Sequence, residues 1–179
     1  RTGFNPPGRP GGVENVTDRV SDPFGMDPDC EQSVPGYGDA NADFHVVGDH
    51  PGVHGGTASG VPFTGSDAGE RVLDVLAAVG LLSERNPPTP ENTFLSYRHC
   101  CCVAEGETPT PAEYADFERF FDAELRGIAA DVLLPVGARA TEHVLVEYTA
   151  KAKLADLGMD ALHGRQVRGR GFLVVPIQD

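Results

Sequence analysis

Residues 47–65 read VGDHPGVHGGTASGVPFTG, a loop with six glycines, two histidines and one carboxylate set between two apolar segments. Upstream, FHVVG (44–48) is a short apolar run suited to a buried strand. Downstream, DAGERVLDVLAAVGLL (67–82) puts Val72, Leu73, Leu76 and Val79 on one helical face, with Asp67 as N-cap and Glu70 three residues on. The unit is strand, loop, helix, and it recurs. TFLSY (93–97) reads as a strand. It is followed by a helix with Thr110 as cap, Pro111 at its first position, Glu113 closing a capping box, and a buried stripe of Tyr114, Phe117, Phe121, Leu125 and Ile128. DVLLPVG (131–137) is a third strand, 138–157 a third helix stopped by Gly158, and GFLVVPI (171–177) a fourth strand. Strands alternating with amphipathic helices predict a three-layer α/β/α sandwich around a central, mainly parallel four-stranded sheet. Ligands of such sheets bind at the carboxyl ends of the strands, where the quoted loop lies.

The chain of 179 residues, 40% hydrophobic and 23% charged, suits one core. Residues 1–42, rich in Pro, Gly and polar side chains, are expected to form a partly disordered arm with one short periodic piece at 13–20, and 43–179 the domain. No apolar run is long enough for a membrane span and no signal segment opens the chain, so a cytoplasmic protein is expected. The net charge of −13 with lysine only at Lys151 and Lys153 points to a halophile's cytoplasm, an ordinary acidic protein being the alternative. Acidity argues against general nucleic-acid binding, which draws on Lys and Arg, though it leaves room for a local site. Arg165, Arg168 and Arg170 make the densest basic run and read as half of a surface ion-pair network rather than as phosphate contacts. The four cysteines, Cys30 and the run Cys100, Cys101, Cys102, do not form a secreted disulfide framework, and reduced thiols are expected.

The glycine spacing matches neither a dinucleotide fingerprint nor a Walker loop. It does resemble the first motif of the uracil-DNA glycosylase superfamily. Gly48-Asp49-His50-Pro51-Gly52 is similar to the GEAPG element of the fourth family, and Val53-His54-Gly55 with Phe63-Thr64-Gly65 to the HG and FTG elements of the fifth. SYRHCCCVAEGETPTPAEY (96–114) and VLLPVGARA (132–140) resemble those families' cysteine loop, helix start and third strand, so the likeness runs from about residue 43 to the end.

The resemblance implies a DNA repair glycosylase that hydrolyses the N-glycosidic bond of uracil or a related damaged base. The base would be flipped from single- or double-stranded DNA, and the enzyme would act as a monomer without a membrane. It implies Asp49 as catalytic carboxylate, stabilising positive charge on the sugar and orienting water, with His54 serving water or sugar. Gly48, His50, Pro51 and Gly52 would line the base pocket, Phe63 would stack on the base, and Ser96 lies near the families' base-reading position. In those families a histidine after the fourth strand donates to the base oxygen. Gln178 stands there, followed by Asp179, and the resemblance leads us to expect a chain cut short at its C-terminus. The alternative is a weak or inactive member that binds nucleic acid or a nucleoside-like ligand.

The families usually carry an iron–sulfur cluster, which needs about four convergent thiolates. Candidate ligands are Cys30, Cys100, Cys101 and Cys102, but Phe117 falls where the helix cysteine belongs. Three readings stay open: no metal, an iron–sulfur cluster, and zinc held by Cys30, His99, Cys100 and Cys102.

Overall fold

A computed structural model describes residues 28–179; the periodic piece at 13–20 lies outside them. The strands are β1 (Tyr37–Gly38), β2 (Phe44–Gly48), β3 (Leu82–Arg85), β4 (Pro88–Pro90), β5 (Thr93–Tyr97), β6 (Val132–Pro135), β7 (Val167–Arg168) and β8 (Leu173–Val174). The helices are α1 (Pro51–His54), α2 (Asp67–Ala78), α3 (Pro111–Ile128), α4 (Gly137–Tyr148) and α5 (Met159–Leu162). β3 and β4 form a separate hairpin.

The main sheet has six strands in the order β1-β5-β2-β6-β8-β7. This corrects the expected four. The inner strands β5, β2, β6 and β8 are the expected parallel set, and antiparallel β1 and β7 are added at the edges. Each edge strand is two residues long, too short to leave a period in the sequence.

β1 lies within the stretch expected to be an arm. Just before it, Val34 N–H donates to Cys100 O and Cys102 N–H to Gln32 O, so residues 32–34 pair with 100–102, and Val34 is buried in the core. Cys30 and Cys101 are joined by a disulfide with Cα atoms 6.0 Å apart, which corrects the expectation of reduced thiols. The Ser33–Cys101 bridge brings these segments side by side, a placement the sequence order hides.

One face of the sheet, with Val46, Leu95 and Tyr97, packs on Leu73 and Leu76 of α2 and on Phe63. The other, with Val47 and Leu133, packs on Phe117 and Phe121 of α3 and Val144 and Leu145 of α4. The capping box of α3 forms as expected: Glu113 N–H donates to Thr110 Oγ1 and Thr110 N–H to Glu113 Oε2. For α2 the cap is Ser66, not Asp67. Ser66 Oγ accepts from Gly69 N–H, and Glu70 accepts from Gly65 N–H. Val79 lies past the end of α2 and is 63% exposed, outside the stripe assigned to it. The expected 138–157 helix divides into α4 and a 3₁₀ turn, Ala152–Leu157; Thr149 breaks it by taking extended backbone.

Gly69, in the first turn of α2, touches the glycine loop directly. A Cβ there would collide with the carbonyl oxygens of His54 and Phe63. Alanine gains about 1 kcal/mol in helix propensity, but backbone atoms yield poorly and overpacking costs about 1–3 kcal/mol. Gly69→Ala is therefore expected to lower the urea midpoint rather than raise it, and a raised midpoint would show that α2 is free to move away from the loop.

Candidate active site at the carboxyl ends of the strands

Asp49 follows the last residue of β2 and is 4% exposed. Its backbone is fixed by His99 N–H donating to Asp49 O at 3.0 Å, and its carboxylate is held from three sides. Tyr114 OH, on α3, donates to Oδ1 at 2.7 Å; Arg139 Nη1, on α4, is 3.6 Å from Oδ2; His50 Nε2 is 3.9 Å from Oδ2. Burial and the neighbouring carboxylate raise Tyr114 far above an ordinary phenol, so it stays a donor.

Both loop histidines have a fixed tautomer. The N–H of Asp49 donates to His54 Nδ1 and that of Gly52 to His50 Nδ1, each at 3.1 Å. An imidazole nitrogen that accepts carries no proton, so in each neutral ring the proton is on Nε2. Burial lowers His50 and His54 below the ordinary histidine range; Asp49 partly opposes this at His50, Asp179 and Asp49 at His54. Both rings are thus neutral Nε2–H donors, and both Nε2 atoms are buried without a hydrogen-bond partner among the described residues. The nearest acceptor to His54 Nε2 is Asp179 Oδ2 at 3.5 Å, too long for a hydrogen bond. Asp179 lies over Gly137 at the start of α4, which has no side-chain cap.

Two of the loop glycines, Gly48 and Gly52, lie against these rings. A Cβ on Gly48 would press on Tyr97 and His54 Nδ1, and one on Gly52 on the His50 ring. Tyr97 clamps the loop by donating to Gly55 O at 2.9 Å and accepting from Phe63 N–H at 2.7 Å.

Several expected site residues are brought together: Gly48, Asp49, His50, Pro51, Gly52 and His54 line one corner. Others are not. Phe63 is 0% exposed, its ring 5.6 Å from His54 and 5.3 Å from Tyr97 between centroids. It packs beside the His54 ring. Ser96 faces the α3 side of the sheet, where it bonds His45 Nε2 at 2.8 Å, because alternation along β5 turns it away from Tyr97. Gln178 is exposed, with its backbone N–H on His163 Nδ1; the next side chain, Asp179, enters the site instead. Tyr114, Arg139 and Asp179 are the residues sequence reasoning missed. Tyr114 was absorbed into the apolar stripe of α3, where a hydroxyl on the turn nearest the strand ends was the available signal. Arg165, Arg168 and Arg170 are exposed and make no ion pair among the described residues, which corrects the expected network.

The thiols do not fit a four-iron cluster. Cys30 and Cys101 are bonded to each other and pack with Phe117, while Cys102 lies against the α2-side core with Sγ 4.0 Å from Thr57 Oγ1. His99, the expected zinc partner, is buried against Tyr114 and Phe117. Among the described residues no group of His, Cys, Asp or Glu is placed to hold a metal ion, and no helix is long and apolar enough to cross a membrane.

A buried carboxylate and two neutral imidazole donors are gathered at the carboxyl ends of a parallel sheet with helices on both faces, where ligands of α/β proteins bind. The profile of the uracil DNA glycosylase superfamily matches residues 35–177, and the chain belongs to that superfamily. It is 31% identical over 131 residues to a type-5 uracil-DNA glycosylase of Thermus thermophilus, covering 70% of this chain and 59% of that protein. It is 26% identical over 129 residues to one of Mycobacterium leprae, covering 68% and 56%. The chain thus spans rather over half the length of these curated relatives.

Proposed function

We propose that the chain hydrolyses the N-glycosidic bond of uracil, or a related damaged base, in DNA. The observation that carries this reading is the pairing of a buried, three-point-held carboxylate, Asp49, with a tautomer-fixed Nε2–H donor, His54, on one loop. As the bond breaks, positive charge builds on the sugar and negative charge on the base oxygens. Asp49 stabilises the first and orients the attacking water; His54 Nε2–H donates to the second. His50 and Arg139 keep the carboxylate aimed. The thiol arrangement gives no step to an iron–sulfur cluster, and we propose a cytoplasmic monomer working without one.

The second reading, a binding protein without turnover, has an observation in its favour: Asp179 covers the His54 donor and would have to leave before a base could enter. Uracil release from single- and double-stranded uracil-containing oligonucleotides decides between them. The assay is run in low and high KCl because the acidic, lysine-poor composition points to a fold that needs salt. We expect uracil and an abasic strand. A protein shown to be folded by circular dichroism that binds the strand but releases no base would leave only the second reading.

A further inference from the structure

Two arginines lie beside Tyr114, the hydroxyl donor to Asp49, in a chain with 14 Lys and Arg against 27 Asp and Glu. Arg98 follows β5, with its backbone N–H on Gly48 O. Its guanidinium lies 4.0 Å from the centroid of the Tyr114 ring, its Nε is buried without a hydrogen-bond partner among the described residues, and its charge is felt by Glu118 though no carboxylate oxygen among the described residues pairs with it within 4.0 Å. Arg139, 54% exposed at the first turn of α4, has Nη1 3.6 Å from Asp49 Oδ2 and also acts on the Tyr114 hydroxyl. Both line a cleft of about 270 Å³ with Glu142, His143, Val146 and Glu147. The cleft runs along α4. Glu147 is eight residues beyond Arg139, about 12 Å along the axis, so the cationic end adjoins Asp49 and the acidic end lies away from it. His143 is held by Glu118 at 2.9 Å.

We propose that the Arg98–Arg139 end of this cleft binds a backbone phosphate of the strand whose base enters the Asp49 site; the inference rests on the glycosylase reading for its ligand. A guanidinium stacked on an aromatic ring is already oriented, so little freedom is lost when it pairs with a phosphate. Two such forks hold a phosphodiester from two sides. Glu147 at the far end repels the strand, which favours phosphate entry at the Arg98–Arg139 end. The clamp would therefore set the position of the sugar, which the acidic surface at large cannot do.

The test is fluorescence anisotropy with a labelled single-stranded oligonucleotide that contains no uracil, titrated at a series of KCl concentrations over which circular dichroism is unchanged. Each phosphate contact on a single strand contributes about 0.7 to the slope of log affinity against log salt. Arg98→Gln and Arg139→Gln are each expected to bind more weakly and to flatten the slope by about that amount, whereas Arg98→Lys keeps the slope. Glu147→Gln is expected to bind more tightly. Folded arginine variants that keep the parent slope, or a folded parent that binds no strand, overturn the site. Uracil release measured on the same preparations separates the two readings: arginine-dependent slopes without release keep the phosphate site and remove the glycosylase, and release with unchanged slopes does the reverse.

Discussion

Asp49→Asn is expected to slow uracil release by roughly a hundred- to ten-thousandfold while leaving the fold and strand binding in place. Asparagine has the shape of aspartate, and its carbonyl oxygen still accepts from Tyr114 OH, which donates at 2.7 Å in the parent. What it loses is the charge that faces the sugar, together with the attraction of Arg139 at 3.6 Å and His50 at 3.9 Å. Binding to an abasic oligonucleotide is expected to hold or tighten, because a negative group near a polyanion has gone. Tyr114→Phe separates positioning from charge: it keeps the carboxylate and removes one hydrogen bond to it, for which about a tenfold fall in kcat with little change in KM is expected. Parent-like release by a folded Asp49→Asn protein would take the carboxylate out of the chemistry and move attention to Asp179 and the His54 donor.

The parts of the fold that carry long periodic patterns were legible. Strand β2, helices α2 and α3, and the Thr110–Glu113 box come from spacing that short-range chemistry imposes. Edge strands of two residues have no period, and the disulfide joins residues 71 apart, so tertiary contacts alone reveal them. In the site, the loop motif marked Asp49, His50 and His54 but assigned the glycines and Phe63 to the base. The structure sets Gly48, Gly52 and Phe63 against the imidazoles, whose orientation decides which nitrogen keeps its proton. Ser96 shows the limit of strand reasoning: one residue's shift along β5 turns a side chain from the site to the opposite face. Tyr114 and Arg139 come from helices remote in sequence; the hydroxyl of Tyr114 on the first turn of α3 is its one signal, and nothing in the local pattern of Arg139 distinguishes it from a surface residue.

The buried histidines also predict acid lability, beginning at a pH where carboxylate titration has not started. His45 lies within the sheet's core, 2.8 Å from Ser96 Oγ, with Phe94 edge-on and Glu124 Oε1 at 3.7 Å. Burial pushes its pKa down from 6.5 to about 3, so it is neutral and the Glu124 contact is no ion pair at neutral pH. His50, His54 and His99 are lowered too, first by burial. Between the folded and unfolded values the unfolded chain binds more protons, so stability is full above about pH 6.5 and falls as the pH drops below it. For His45 the loss continues to about pH 3. At pH 5 it amounts to roughly 2 kcal/mol from that residue alone, a large share of a typical domain's stability. The carboxylates that the fold holds below their ordinary range, Glu70 through Arg85 and Glu118 through His143 and Tyr148, act in the same direction but only below about 4.5. Urea midpoints followed from pH 8 to pH 5 therefore report the histidines. His45→Gln, which keeps a hydrogen-bonding partner for Ser96 Oγ, is expected to flatten that dependence by up to about 1.4 kcal/mol per pH unit. Parent and variant curves that run parallel would mean that His45 takes up its proton in the folded state, drawing Glu124 into a true ion pair.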